Sequence, residues 1–171
     1  TAYDAAIRKK VGEGKSGEAL FFELAIEDLT RAADLFRPIW DRTNGVDGWV
    51  SLEVSPLLAY DTASTLAAAK GLHAPAGRAQ LLIKIPGTLA GLRAIERSNG
   101  DGINVIATLL FEVARYEEVI EAFMRGLEHR AEEGHPLDHV ASVASFFVSR
   151  VDGKVDGFLE REGERTDLLH L

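Results

Sequence analysis

The chain has 171 residues, 46% hydrophobic and 27% charged, which is enough apolar sequence to bury a core and too much for a disordered segment. Its 27 acidic and 19 basic residues leave a formal net charge of −8, so no basic patch points to nucleic acid, and no stretch has the character of a membrane span or a signal peptide. The absence of cysteine excludes disulfides and thiolate metal sites and is compatible with a reducing cytoplasm.

The first helical signal is Tyr3–Lys10, closed by the glycines of Gly12-Glu13-Gly14. Ser16 is placed to cap a short helix to about Leu24. A second run through Ile26, Leu29, Ala32, Ala33, Leu35, Phe36 and Ile39 forms one apolar stripe, which Pro38 should kink or end. After the turn cluster Thr43–Gly48, Trp49–Val54 alternates with period two and predicts a strand with Trp49, Ser51 and Glu53 on one face. Its other face, Val50, Leu52 and Val54, suits packing on helices. Asp61 is a good N-cap for an alanine-rich helix from Thr62 to about Leu72.

Leu81–Ile85 predicts a buried strand that Pro86 ends, and Thr88 caps a helix over Leu89–Arg97. A third strand lies in Gly102–Phe111, with Asn104, Ile106 and Thr108 on one face. An amphipathic helix follows from Val113 to about Glu133, stopped by Gly134-His135-Pro136. A fourth strand lies within His139–Val151, and Asp152–Glu160 begins another helix.

A buried strand followed by a helix, four times over, is the pattern of a parallel α/β fold. A doubly wound sheet and a (β/α)8 TIM-type barrel share it. No Gly-rich loop follows a strand, as a nucleotide-binding sheet requires, and polar residues recur at successive strand ends, which favours the barrel. A full barrel takes about 250 residues. Residues 1–171 therefore read as a single partial barrel domain of about four strand-helix units. The start at Thr1 and the lone methionine, Met124, fit a segment of a longer or processed chain.

Lys84 is the anomaly, a charge inside Leu81-Leu82-Ile83-Lys84-Ile85. Burial disfavours an ammonium, and a neutral amine is what attacks a carbonyl to form a Schiff base; the plain alternative is a lysine that snorkels from a strand end. Glu53, Lys84, Thr108 and Ser145 each fall late in a different strand, so a barrel would gather them at one mouth. Glu53 beside the amine suits proton transfer, or a structural ion pair. Thr108 is also a plain β-branched strand residue. Arg150 with Ser145 suits a phosphate group, but their odd spacing needs a bulge or a strand end between them, and a surface pair with Asp152 is the alternative. His135 and His139 are spaced i, i+4 but flank Pro136 and lack matched ligands, so no metal is expected. Phe21, Phe22 and Phe123 read as core, and the charge runs Arg115–Glu118 and Arg161–Arg165 as solvated faces.

Trp49-Val50-Ser51-Leu52-Glu53-Val54-Ser55-Pro56, Leu82-Ile83-Lys84-Ile85-Pro86-Gly87-Thr88, Gly102-Ile103-Asn104 with Thr108-Leu109-Leu110-Phe111, and Ala144–Asp152 together closely resemble the transaldolase family. The resemblance implies a cofactor-independent enzyme of the class I aldolase type in the cytoplasm. It would take sugar phosphates of the pentose phosphate pathway, with Lys84 as Schiff-base lysine, Glu53 and Thr108 handling a catalytic water, and Ser145 and Arg150 holding phosphate. Asn104 falls within the matching motif as a substrate-binding candidate. Ile106 departs from the family, which carries a substrate-contacting asparagine there. An inert half-barrel that self-associates, and a related Schiff-base aldolase, are the competing expectations.

Overall fold

The computed structural model describes residues 1–162. Helices α1 (Asp4–Gly12) and α2 (Gly17–Arg42) precede strand β1 (Val50–Glu53). Then follow α3 (Thr62–Ala76), β2 (Leu81–Pro86), α4 (Leu89–Gly100), β3 (Asn104–Leu110), α5 (Val113–Glu132), β4 (Ser142–Phe146) and α6 (Val148–Glu162). A short 3-10 turn, Pro56–Leu58, links β1 to α3.

The four strands are all parallel and lie in the order β1-β2-β3-β4. A doubly wound sheet reverses direction at a switch point; this sheet steps one way only, as successive units of a (β/α)8 barrel do. The fold is α/β of the partial TIM-barrel type.

One face of the sheet is sealed by helices. Leu81, Ile83, Ile85, Val105 and Ala107 have no exposed surface, and they pack with Ala69, Ala94, Ile95 and Ala122 from α3, α4 and α5. At about 1.5–3 kcal/mol for each large aliphatic side chain taken from water, this layer is the main source of stability.

Three helices differ from their sequence expectation. The predicted break near Leu24 does not occur, and α2 continues through Pro38 to Arg42. Pro38 forfeits a single backbone bond, and the end of the helix is held from outside. A side chain at Gly48 would come within 2.7 Å of the Trp40 backbone nitrogen, so the returning chain lies directly against this turn. The α2 stripe is also narrower than its spacing suggests: Leu29 and Ala33 are buried, while Leu35 is 80% exposed. Helix α3 likewise runs past Leu72 to Ala76 and ends at Gly77 in the left-handed conformation, φ 54°.

Helix α6 starts at Val148, ahead of the expected Asp152. Arg150 therefore lies on its first turn and not on a strand. Asp61 and Thr88 cap as expected, accepting from the backbone N–H of Ser64 and Gly91 respectively. The charge run Arg161–Arg165 extends beyond the described residues.

Candidate active site

The second face of the sheet carries the polar residues. Period-two alternation on β2 sends Ile83 and Ile85 to the helices and leaves Leu82, Lys84 and Pro86 on the other side. The ladder aligns Glu53 with Lys84, Lys84 with Ile106, and Ile106 with Val143, so one residue from each strand forms a row across this face. Lys84 Nζ lies 3.4 Å from Glu53 Oε2, with the two side chains 28% and 42% exposed. The lysine is thus not sunk in the core. Its stem leaves the middle of a buried strand and its head meets a partly exposed carboxylate.

One row further on, Thr108 aligns with Pro86. Thr108 has no exposed surface, and among the described residues its Oγ1 has no partner. A buried hydroxyl without a protein partner is a place where an ordered water is commonly found. Strand ends in this region are tied together by backbone bonds from Val54 N–H to Lys84 O, 3.1 Å, and from Gly87 N–H to Thr108 O, 2.8 Å.

Strand β3 then breaks its rhythm. Leu109 takes a positive φ of 62°, and the β3–β4 register shifts between Ala107 and Leu110. Leu110 is thereby turned into the core while Leu109 is left 40% exposed. Phe147 N–H donates to Leu110 O at 3.1 Å, closing the end of β4 onto β3. Ser145 is half-buried on β4, on the same face as Val143. Arg150 follows across the strand end, which removes the spacing objection to a shared ligand. Its guanidinium lies 4.4 Å from the centre of the Phe147 ring, and among the described residues it makes no ion pair with Asp152.

Asn104 is not brought to this group. It stands at the amino end of β3, where its side-chain amide donates to Ala79 O at 3.3 Å and its oxygen accepts from Ala141 N–H at 2.7 Å. It ties the starts of β2 and β4 together. Ile106 sits in the Lys84 row, so the apolar departure falls beside the amine.

His135 and His139 are exposed and lie near Glu133 and Asp138, and among the described residues no group of three or more His, Asp or Glu side chains is arranged to hold a metal. Phe21 is not core. It is 60% exposed, stacks edge-to-face on Phe22 and, with Pro56 and Glu53, borders a cavity of about 330 Å³ beside the end of β1. A larger hollow of about 440 Å³ between Trp40, Trp49 and His139 lies at the amino ends of the strands, away from Lys84.

Ser55 and the Phe111–Phe147 pair were not predicted as site features. Ser55 is buried just past Glu53 and among the described residues its Oγ has no partner; its sequence signal is a small polar residue directly after the predicted strand Trp49–Val54. The two phenylalanines stack at 5.4 Å between ring centres.

Residues 1–167 match the family model described as Transaldolase/Fructose-6-phosphate aldolase. The chain is 48% identical over 163 residues to a transaldolase of Arthrobacter sp. (strain FB24), covering 95% of this chain and 44% of that protein. It is 52% identical over 140 residues to a transaldolase of Acidothermus cellulolyticus, covering 82% and 38% respectively. A transaldolase of Trichodesmium erythraeum is 43% identical over 160 residues, with 94% and 42% covered. The chain thus spans less than half the length of these relatives. With this match over nearly its whole length, the chain belongs to the transaldolase/fructose-6-phosphate aldolase family.

Proposed function

We propose that this chain carries the nucleophilic centre of a transaldolase that moves a dihydroxyacetone unit from a ketose phosphate to an aldose phosphate. The observation that carries this reading is the Lys84–Glu53 pair, an amine and a carboxylate 3.4 Å apart on adjacent strands of a barrel-type sheet. The Lys84 lone pair adds to the ketose carbonyl, and the carbinolamine loses water to give an iminium. Carbon–carbon cleavage then pushes its electron pair into the iminium as the neighbouring hydroxyl gives up its proton. The aldose phosphate leaves and an enamine stays on Lys84. The enamine carbon attacks the aldehyde of the acceptor, and hydrolysis restores the amine.

Glu53 gives and takes the protons of these steps through a water, which the unpartnered hydroxyl of Thr108 holds. Ser145 and Arg150 bind substrate phosphate by charge-assisted hydrogen bonds. Asn104 serves the same site from below by fixing the starts of β2 and β4. The substrates are fructose 6-phosphate or sedoheptulose 7-phosphate and an aldose phosphate, in the pentose phosphate pathway of the cytoplasm, without cofactor, nucleic acid or membrane. Among the described residues no helix is long and apolar enough to cross a membrane.

The test is intact-mass measurement after incubation with fructose 6-phosphate and borohydride. A reduced dihydroxyacetone adduct is expected on the wild type and absent from Lys84→Ala. A folded wild type without adduct would sink the reading. It would leave the second one, a self-associating inert half-barrel, which is favoured by Val143, 47% exposed on the concave face, and by outer edges of β1 and β4 that pair with no strand among the described residues.

A further inference from the structure

We infer that Phe147, backed by Phe111, is a positioning residue that holds the Arg150 guanidinium in the plane and place needed to grip substrate phosphate. The inference rests on the reading above, in which Arg150 is a phosphate ligand. An arginine on an exposed helix turn has many rotamers, and bidentate recognition of a phosphate uses only one orientation of its planar fork. Something must select it. The guanidinium carbon lies 4.4 Å from the Phe147 ring centre, within the range in which the ring face attracts a cation.

The ring is itself fixed. It stacks on Phe111 at 5.4 Å with the planes 17° apart, and its own backbone N–H is bonded to Leu110 O at 3.1 Å. The left-handed turn at Leu109 makes this possible, because it commits Leu110 to the core and leaves Phe111 51% exposed at the strand end. Phe111 contributes little to the core from that place; what it meets is Phe147. The ends of β3 and β4 thus build an aromatic shelf under the one arginine of the α6 first turn.

The proposal is tested on the isotopically labelled 171-residue chain by following the side-chain resonances of Arg150, identified by their loss in Arg150→Lys, during titration with inorganic phosphate. In the wild type these protons should lie upfield of those of a free arginine because of the ring current, and they should move on phosphate addition. Phe147→Leu should return them to free positions and weaken phosphate binding about two- to fivefold, the weight of one exposed cation–π contact. Phe147→Tyr should keep both properties, and Phe111→Leu should show a smaller loss with Phe147 still present.

Unshifted Arg150 protons in the wild type would overturn the stack. Phosphate that perturbs Arg150 with equal affinity in wild type and Phe147→Leu would overturn its positioning role while leaving Arg150 as a ligand. Phosphate that leaves a ring-shifted Arg150 untouched would overturn the phosphate reading and the proposal with it.

Discussion

The two faces of the sheet are made from the same strands and have opposite characters. Toward the helices, Leu81, Ile83, Ile85, Val105 and Ala107 are wholly buried. On the concave side the row Glu53, Lys84, Ile106 and Val143 keeps contact with solvent, the lysine side chain at 28% and the glutamate at 42%. Alternation allows this division, since moving one residue along a strand crosses from one face to the other. The lesson is that one face holds the fold while the other carries a partly exposed ion pair, so the two can be changed separately.

The sharpest way to test that separation is a pair of neighbouring substitutions. Ile83→Ala removes three buried carbons from the sealed face and should cost about 2–5 kcal/mol of unfolding free energy. Lys84→Ala, one residue on, breaks only a partly exposed ion pair and should change stability by less than about 1 kcal/mol while abolishing the borohydride adduct. Denaturant unfolding of both variants checks the comparison. A Lys84→Ala protein as unstable as Ile83→Ala would mean that the concave face is structural after all.

A smaller effect separates the helix caps from both faces. The Ser64 hydroxyl and then the Ser64 backbone N–H bond to the Asp61 carboxylate at the start of α3 and hold its pKa below the ordinary 3.8. A carboxyl whose folded pKa is depressed stabilises in full above its unfolded pKa and loses that contribution as pH falls through the folded value. Asp61→Ala should therefore melt at a lower temperature than wild type at neutral pH, with the gap closing as the pH is taken below 3.8. A gap that stays constant would assign the loss to helix propensity and not to the ionised cap.

Much of this division was legible in the sequence, and the exceptions share a cause. Strand positions, the faces of β1 and β2, and the meeting of Glu53 with Lys84 follow from periodicity and from one charge in an apolar run, which are local signals. The persistence of α2 through Pro38 has no local signal; the turn after it brings Gly48 close against Trp40, a contact between residues that periodicity does not link. The fourth strand was expected only somewhere within His139–Val151, because the apolar run there does not mark its own end; the chain ends β4 at Phe146 and starts α6 at Val148, so Arg150 lies on a helix. Phe21 was assigned to the core by helical spacing, but α2 meets the sheet over a narrower stripe than that spacing suggests. Asn104 shows the converse: its motif is plain in sequence, whereas its engagement by Ala79 and Ala141 is visible only once β2 and β4 lie on either side of β3.

The smallest expected effect concerns Leu109, where the helix-facing pattern and the concave pattern exchange places. A leucine at φ 62° carries backbone strain of about 1–2 kcal/mol, which glycine would not. Leu109→Gly relieves that strain but adds unfolded-chain entropy and removes a side chain that is 60% covered, given its 40% exposure. These contributions oppose each other and are of similar size, so the net change should be under about 1 kcal/mol. Leu109→Val keeps the strain and adds a β-branch in a conformation that such residues avoid, so it should be the more destabilising of the two. If Leu109→Gly instead proves the worse in a denaturant titration, the leucine side chain and not the local backbone sets the turn. Phe111 would then owe its position beside Phe147 to packing at residue 109.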